Sequence, residues 1–147
     1  MKKSLIAALV AALALCAPTA EAKLTPRKLA VPPGGKLILC TLRQRGKGNW
    51  IPTELVLLID KAGGVLVYDA IIDAYYDAPI AAEVQTDNAR RTTYAWSVEG
   101  TRDRTKQYAP NLDYRLTVQK DGGKASIAMS PRNYANRFFG DGVCKQK

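Results

Sequence analysis

The side chains that could do chemistry are few. Asp69, Asp73, Asp77 and Glu83 are the carboxylates from which a glycoside-hydrolysing pair could be drawn, since that reaction needs an acid and a base or nucleophile flanking one bond. Nothing around them differs from a solvated acidic loop. Ser97, Ser126 and Ser130 are the serines that a Ser–Lys arrangement would recruit, but no local motif accompanies them. The chain contains no histidine, which removes the Ser–His–Asp triad, the Cys–His pair and the ordinary zinc site. No run alternates oxygen ligands around a central glycine as a calcium loop does. Gly46-x-Gly48 lacks the strand–helix setting of a phosphate loop and reads as flexible backbone beside Trp50. These absences point away from an enzyme, and no cofactor or metal is expected.

Cations interleaved with aromatic residues are the more informative pattern. Arg45, Lys47 and Trp50 form one such group, and Arg102, Arg104, Lys106 and Tyr108 form another. Tyr75, Tyr76 and Asp77 lie between them in the chain, and Arg132, Tyr134, Arg137, Phe138 and Phe139 follow. Such a mixture suits an anionic or glycan-like ligand, or an acidic protein surface. Trp50, Arg45, Lys47, Arg102, Arg104, Lys106 and Tyr108 are therefore the expected ligand-binding residues. The plainer reading has Trp50 and Phe138 folding inward as plugs while the charges stay solvated.

The elements that must carry these residues read as short strands. Lys23 to Gly35 is rich in proline and glycine and reads as an irregular arm. Lys36 to Arg43 is β-rich, Thr53 to Asp60 is apolar on both parities, and Lys61-Ala62-Gly63-Gly64 is a tight turn. Val65 to Ile72 runs back. Ile80 to Thr86 and Arg91 to Glu99 flank a turn at Asp87-Asn88-Ala89. Thr92, Tyr94, Trp96 and Val98 share one parity, as do Leu112, Tyr114, Leu116 and Val118, and this period of two marks half-buried antiparallel strands. Asp121-Gly122-Gly123 is a hairpin signal, and Ala125, Ile127 and Met129 continue the inward parity. The repeat Asp69-Ala70-Ile71-Ile72, Asp73-Ala74-Tyr75-Tyr76, Asp77-Ala78-Pro79-Ile80 favours strand to Ile72 and then a loop, with a short helix as the alternative.

The expectation is an all-β antiparallel up-and-down meander of seven or eight strands, closed or partly open as a small barrel, with a two-layer sandwich as the alternative. In a meander, alternate connections emerge at opposite ends. The tight turns at 62–64, 87–89 and 121–123 then fall at one end. The longer connections at 44–52, 73–79 and 100–111 fall at the other, where function usually sits on a rigid scaffold. The interior of so small a barrel can be filled or can hold one small ligand.

Lys2 and Lys3, the uncharged run Leu5 to Ala17 and the small-x-small Ala20-Glu21-Ala22 read as a signal peptide (residues 1–22) cleaved after Ala22. Leu13-Ala14-Leu15-Cys16 is the rival, a lipidation signal at Cys16, but Leu15 is large for its position. The expected location is periplasmic or secreted, with an arm at 23–35 and one β domain at 36–147. No other segment approaches membrane-spanning length. The mature chain keeps two cysteines, Cys40 and Cys144, most simply read as a disulfide in an oxidising compartment. Cleavage removes Lys2, Lys3 and Glu21 and leaves a net charge of +8. That surplus favours an anionic envelope component, an acidic glycan or an acidic protein as partner. Nucleic acid is disfavoured by the exported address.

Cys40, Gly46-x-Gly48-x-Trp50-Ile51-Pro52, Asp87-Asn88-x-Arg90-x-Thr92-x-x-Trp96 and Tyr134-x-Asn136-x-Phe138-x-Gly140-x-Gly142-x-Cys144 together resemble a family of small exported proteobacterial proteins of uncharacterised function. The resemblance covers most of the mature chain and implies little chemistry. A weaker resemblance is to the periplasmic C-type lysozyme inhibitors, small barrels with a disulfide near their ends. Their Ser-Gly-x-x-Tyr loop is missing here, Asn88-Ala89-Arg90-Arg91-Thr92 being the nearest segment, and a cationic inhibitor is mismatched to a cationic target.

Overall fold

The computed structural model describes residues 29–76, 78–102 and 108–147, apart from the side chains of residues 101, 102 and 108–110. Eight strands follow in chain order: β1 (Lys36–Arg45), β2 (Glu54–Ile59), β3 (Val65–Asp69), β4 (Ile80–Asp87), β5 (Arg91–Arg102), β6 (Tyr108–Gln119), β7 (Lys124–Pro131) and β8 (Phe138–Gln146). One helix, α1 (Ala70–Tyr76), joins β3 to β4. Each strand pairs antiparallel with the next and β8 pairs with β1, so the sheet closes into an up-and-down barrel. Closure satisfies the backbone groups that an edge strand would leave open.

Alternation explains most of the wall. Tyr94, Trp96 and Val98 on β5 face Leu112, Tyr114 and Leu116 on β6 inside the barrel, and all are buried. Each such side chain stabilises the fold by about 1.5–3 kcal/mol. Arg91, Glu99 and Arg115, on the other parity, are exposed. β2 is apolar on both parities because both of its faces are covered. Leu55 and Leu57 are fully buried inside, while Val56 and Leu58 point outward and are buried too. Across the outer face the register sets Leu39, Val56 and Tyr68 in one row and Leu37, Leu58 and Leu66 in the next.

The C-terminal segment is a full strand inserted between β7 and β1. Cys40 and Cys144 are direct cross-strand partners on β1 and β8 and are bonded to each other. Gly140 and Gly142 occupy inward positions of β8 beside them. A Cβ on Gly142 would overlap the Thr41 carbonyl oxygen, and one on Gly140 would lie 2.9 Å from both the Arg43 carbonyl oxygen and Ile51 Cγ2. The alternating glycines thus let the last strand sit close against the first.

Two elements differ from the sequence-based expectation. The chain becomes helical at Ala70 instead of continuing as strand to Ile72, because Asp69 caps the turn. Its Oδ1 accepts the Ile71 and Ile72 N–H groups at 2.7 and 2.9 Å. Asp73 meanwhile accepts the Tyr68 hydroxyl, so Asp69 and Asp73 have separate partners instead of repelling each other. The connection expected over 100–111 is also shorter. β5 runs to Arg102 and β6 begins at Tyr108, with Thr101 opposite Ala109 and Arg102 opposite Tyr108. Gly100 and Pro110 are flanked by paired positions on both sides, so these two breakers interrupt the ladder locally without ending it.

Candidate functional site

The connections 46–53 and 132–137, α1 with 78–79, and the facing ends of β5 and β6 lie at one end of the barrel. The turns at 60–64, 88–90 and 120–123 lie at the other, with the arm that leads into β1 and the close of β8. Among the described residues, the loop 46–53 is fastened across that end. Gln44 Oε1 accepts the Trp50 and Ile51 N–H groups at 2.9 and 3.0 Å, and Gln44 Nε2 donates to the Lys47 carbonyl at 2.8 Å. Gly48 makes this grip possible. Its φ is +119°, and a Cβ there would stand 2.9 Å from Gln44 Nε2. Tyr114, stacked on Trp96 with ring centres 5.4 Å apart, donates its hydroxyl to the Trp50 carbonyl at 2.8 Å. Ile51 and Ile72 are buried beneath as stoppers.

The expected ligand-binding residues therefore go to different places. Trp50 is half-buried against the core, its ring 6.0 Å from that of Phe138. Arg45 lies on the outer wall, with Nε 2.9 Å from Asp141 and its guanidinium 5.6 Å from the centre of the Phe139 ring. Lys47 is exposed on the loop. Arg102 and Tyr108 pair through their backbones, but their side chains lie outside the described residues, as do Arg104, Lys106 and Asp77 entirely. The candidate carboxylates do not converge. Asp69 is sealed inside, Asp73 bonds Tyr68, and Glu83 is exposed on β4. Ser97 donates to Asp113 at 2.6 Å. Among the described residues, no group of three or more His, Cys, Asp or Glu side chains is placed to hold a metal ion.

The concave site is at the opposite end, among the tight turns. There the barrel opens into a bowl of about 720 Å³. One wall is apolar, built from the outermost inward residues of β1 to β3: Ile38, Ile59 and Val65. The facing wall is polar and comes from β4 to β6. Thr92 donates its hydroxyl to Asp87 at 2.9 Å, and the Lys120 ammonium sits 2.7 Å from the same carboxylate oxygen. The bonds from Lys120 and Thr92 hold the Asp87 carboxyl below its usual range. Tyr94 lies below, 5% exposed, and burial pushes its phenol above the ordinary value, so it stays a neutral donor. Val84 and Val118 flank this wall, Cys144 lines the bowl beside β1, and Lys36 and Lys61 stand on the lip. Deeper in, Leu57, Leu116, Ile127 and Met129 fill the barrel.

The sequence-based expectation lay with the long connections, and this end was not singled out. A usable signal was present in the strands. On β5 to β7 the inward residues fall from Trp96, Tyr114 and Met129 at mid-barrel to Thr92, Val118 and Ala125 near the tight turns, and lysines sit next to those turns. Smaller side chains at the last inward positions leave room, and flanking lysines make that room cationic. A bowl of this size, with apolar and polar groups in comparable measure, lies within the volume range of small-ligand sites. Comparisons with protein-family models, with curated proteins and with solved structures return no match.

Proposed function

We propose that the protein is an exported, non-enzymatic binding module, and that its ligand is a small amphipathic anion held in the bowl. The observation that carries this reading is the two-sided bowl itself, with an apolar wall of Ile38, Ile59 and Val65 facing Thr92, Tyr94 and Lys120 under a lip bearing Lys36 and Lys61. An apolar body would lie against the first wall, and its anionic group would meet Lys36 and Lys61, which make no ion pair among the described residues. The missing histidine and the scattered carboxylates support binding without turnover. The apparent signal peptide and the cross-strand disulfide support an exported address.

Titration of the mature chain with a fluorescent aromatic sulfonate (8-anilinonaphthalene-1-sulfonate), and its displacement by octanoate, tests the assignment. Unmodified protein binds both. Val84→Trp, a change at a lining residue that is 41% exposed, fills the bowl and abolishes binding without disturbing the packed core. Removing both lip cations by Lys36→Ala and Lys61→Ala weakens binding by roughly tenfold, as two exposed charge-assisted contacts would. Undiminished binding by the Val84→Trp protein would sink the assignment.

A further inference from the structure

Among the described side chains, unbalanced positive charge gathers at one end of the barrel. Around the bowl, Lys36, Lys61, Arg90, Arg91, Lys120 and Lys124 stand exposed at the tight turns, and Lys145 and Lys147 follow beside them on and after β8. Among the described side chains, Asp60, Glu83, Asp87 and Asp121 oppose them toward that end. At the other end Arg43, Arg45, Lys47, Arg132 and Arg137 are matched by Glu54, Asp73, Glu99, Asp113 and Asp141. The cationic end is also apolar in places. Val31, Leu66, Val84 and Val143, each 40–44% exposed, lie among the cations. Its three turns are short, and residues 29–35 enter β1 beside them.

We propose that this end docks onto an anionic lipid bilayer, with the bowl opening toward the membrane. A shallow ring of lysine and arginine is complementary to a planar negative surface, where basic side chains near the headgroups add to attraction within a Debye length. The four exposed apolar side chains suit the headgroup boundary, which accepts an apolar face below a charged one. A nucleic acid strand is the poorer fit, because base stacking needs exposed aromatics and Tyr94, the aromatic lining the bowl, is 5% exposed. Docking goes beyond the bowl's ligand and does not require the bowl to be occupied.

Flotation of the mature protein with vesicles tests the proposal, using phosphatidylcholine alone or with about one third phosphatidylglycerol, the anionic component that sets the surface potential. The protein floats with the anionic vesicles alone and is released at about 0.5 M salt, where the Debye length shrinks to a few ångströms. The exposed triple change Lys36→Glu, Lys61→Glu and Lys124→Glu weakens binding by at least about tenfold. The same charge change at the opposite end, Arg43→Glu, Lys47→Glu and Arg137→Glu, leaves it intact. Equal losses in the two triples would mean attraction by net charge alone and overturn the proposal. No binding to anionic vesicles, equal flotation with both lipids, or preferential capture of a single-stranded oligonucleotide would overturn it too. Octanoate binding in the same samples reports on the bowl separately.

Discussion

Asp69 is the residue whose environment is most at odds with its chemistry. It is fully buried, Oδ1 is used up in capping α1, and Oδ2 has no hydrogen-bond partner. Burial raises its pKa from 3.8 to about 6, against the lowering effect of the Ile72 and Ile71 N–H groups. The folded value lies above the unfolded one, so this group's contribution to stability is complete below pH 3.8 and is lost as the pH rises through about 6. A difference of that size corresponds to on the order of 2–3 kcal/mol at neutral pH. Asp69→Asn keeps an oxygen for the cap and removes the charge. The variant is expected to match the parent near pH 4 and to exceed it by about 1–3 kcal/mol at pH 7.5 in denaturant unfolding. A constant difference between the two proteins across that range would show that Asp69 does not titrate in this window. Tyr114, whose phenol burial pushes well above its ordinary value with further upward contributions from Asp69 and Tyr75, stays neutral throughout.

At the scale of elements, the loop 46–53 is held as a closure across its end of the barrel. Gln44 alone holds three backbone groups of that loop. Gln44→Ala leaves the part-buried Trp50 and Ile51 N–H groups without their acceptor and is expected to cost about 1–3 kcal/mol. Octanoate affinity, read in the same protein, stays unchanged because the bowl lies at the far end. A loss of ligand affinity with stability intact would return the site to the loop. The elements legible from sequence were those whose burial follows a simple period. β5 and β6 alternate cleanly because each has one face in the core and one in water. β8 was hidden because its inward positions hold Gly140 and Gly142, which close approach requires and which carry no apolar signal. α1 was hidden because Ile71, Ile72, Tyr75 and Tyr76 favour strand, and a single cap, Asp69, outweighs that preference. The bowl arises where inward side chains shrink toward three turns far apart in sequence, so no local window contains it.

For the whole molecule, the arrangement of polarity decides what kind of barrel this is. Its interior is apolar and filled at mid-height, while β5 to β7 turn Arg91, Thr117, Ser126 and similar side chains outward. A membrane-spanning barrel carries an apolar band around its whole outer wall, whereas the outward apolar rows here are confined to β1 to β3. This barrel is held by its own core, and that core is closed at one seam. There the first strand meets the last, and Cys40–Cys144 crosses it with a sequence separation of 104 residues. A link spanning nearly all the strands restricts the unfolded chain severely, by about 4–5 kcal/mol in the chain-entropy description. The double change Cys40→Ser and Cys144→Ser is therefore expected to lower the denaturation free energy by several kcal/mol. The seam hydrogen bonds would keep the barrel closed, as strand-resolved amide exchange at Leu39 and Lys145 would show. The proposed export and cleavage after Ala22 predict that the protein purified without reduction weighs about 2 Da less than the reduced chain beginning at Lys23, one disulfide accounting for the difference. If the serine variant proved as stable as the parent, the barrel would be closed by its packing and strand pairing alone, and the bond would add nothing to the fold.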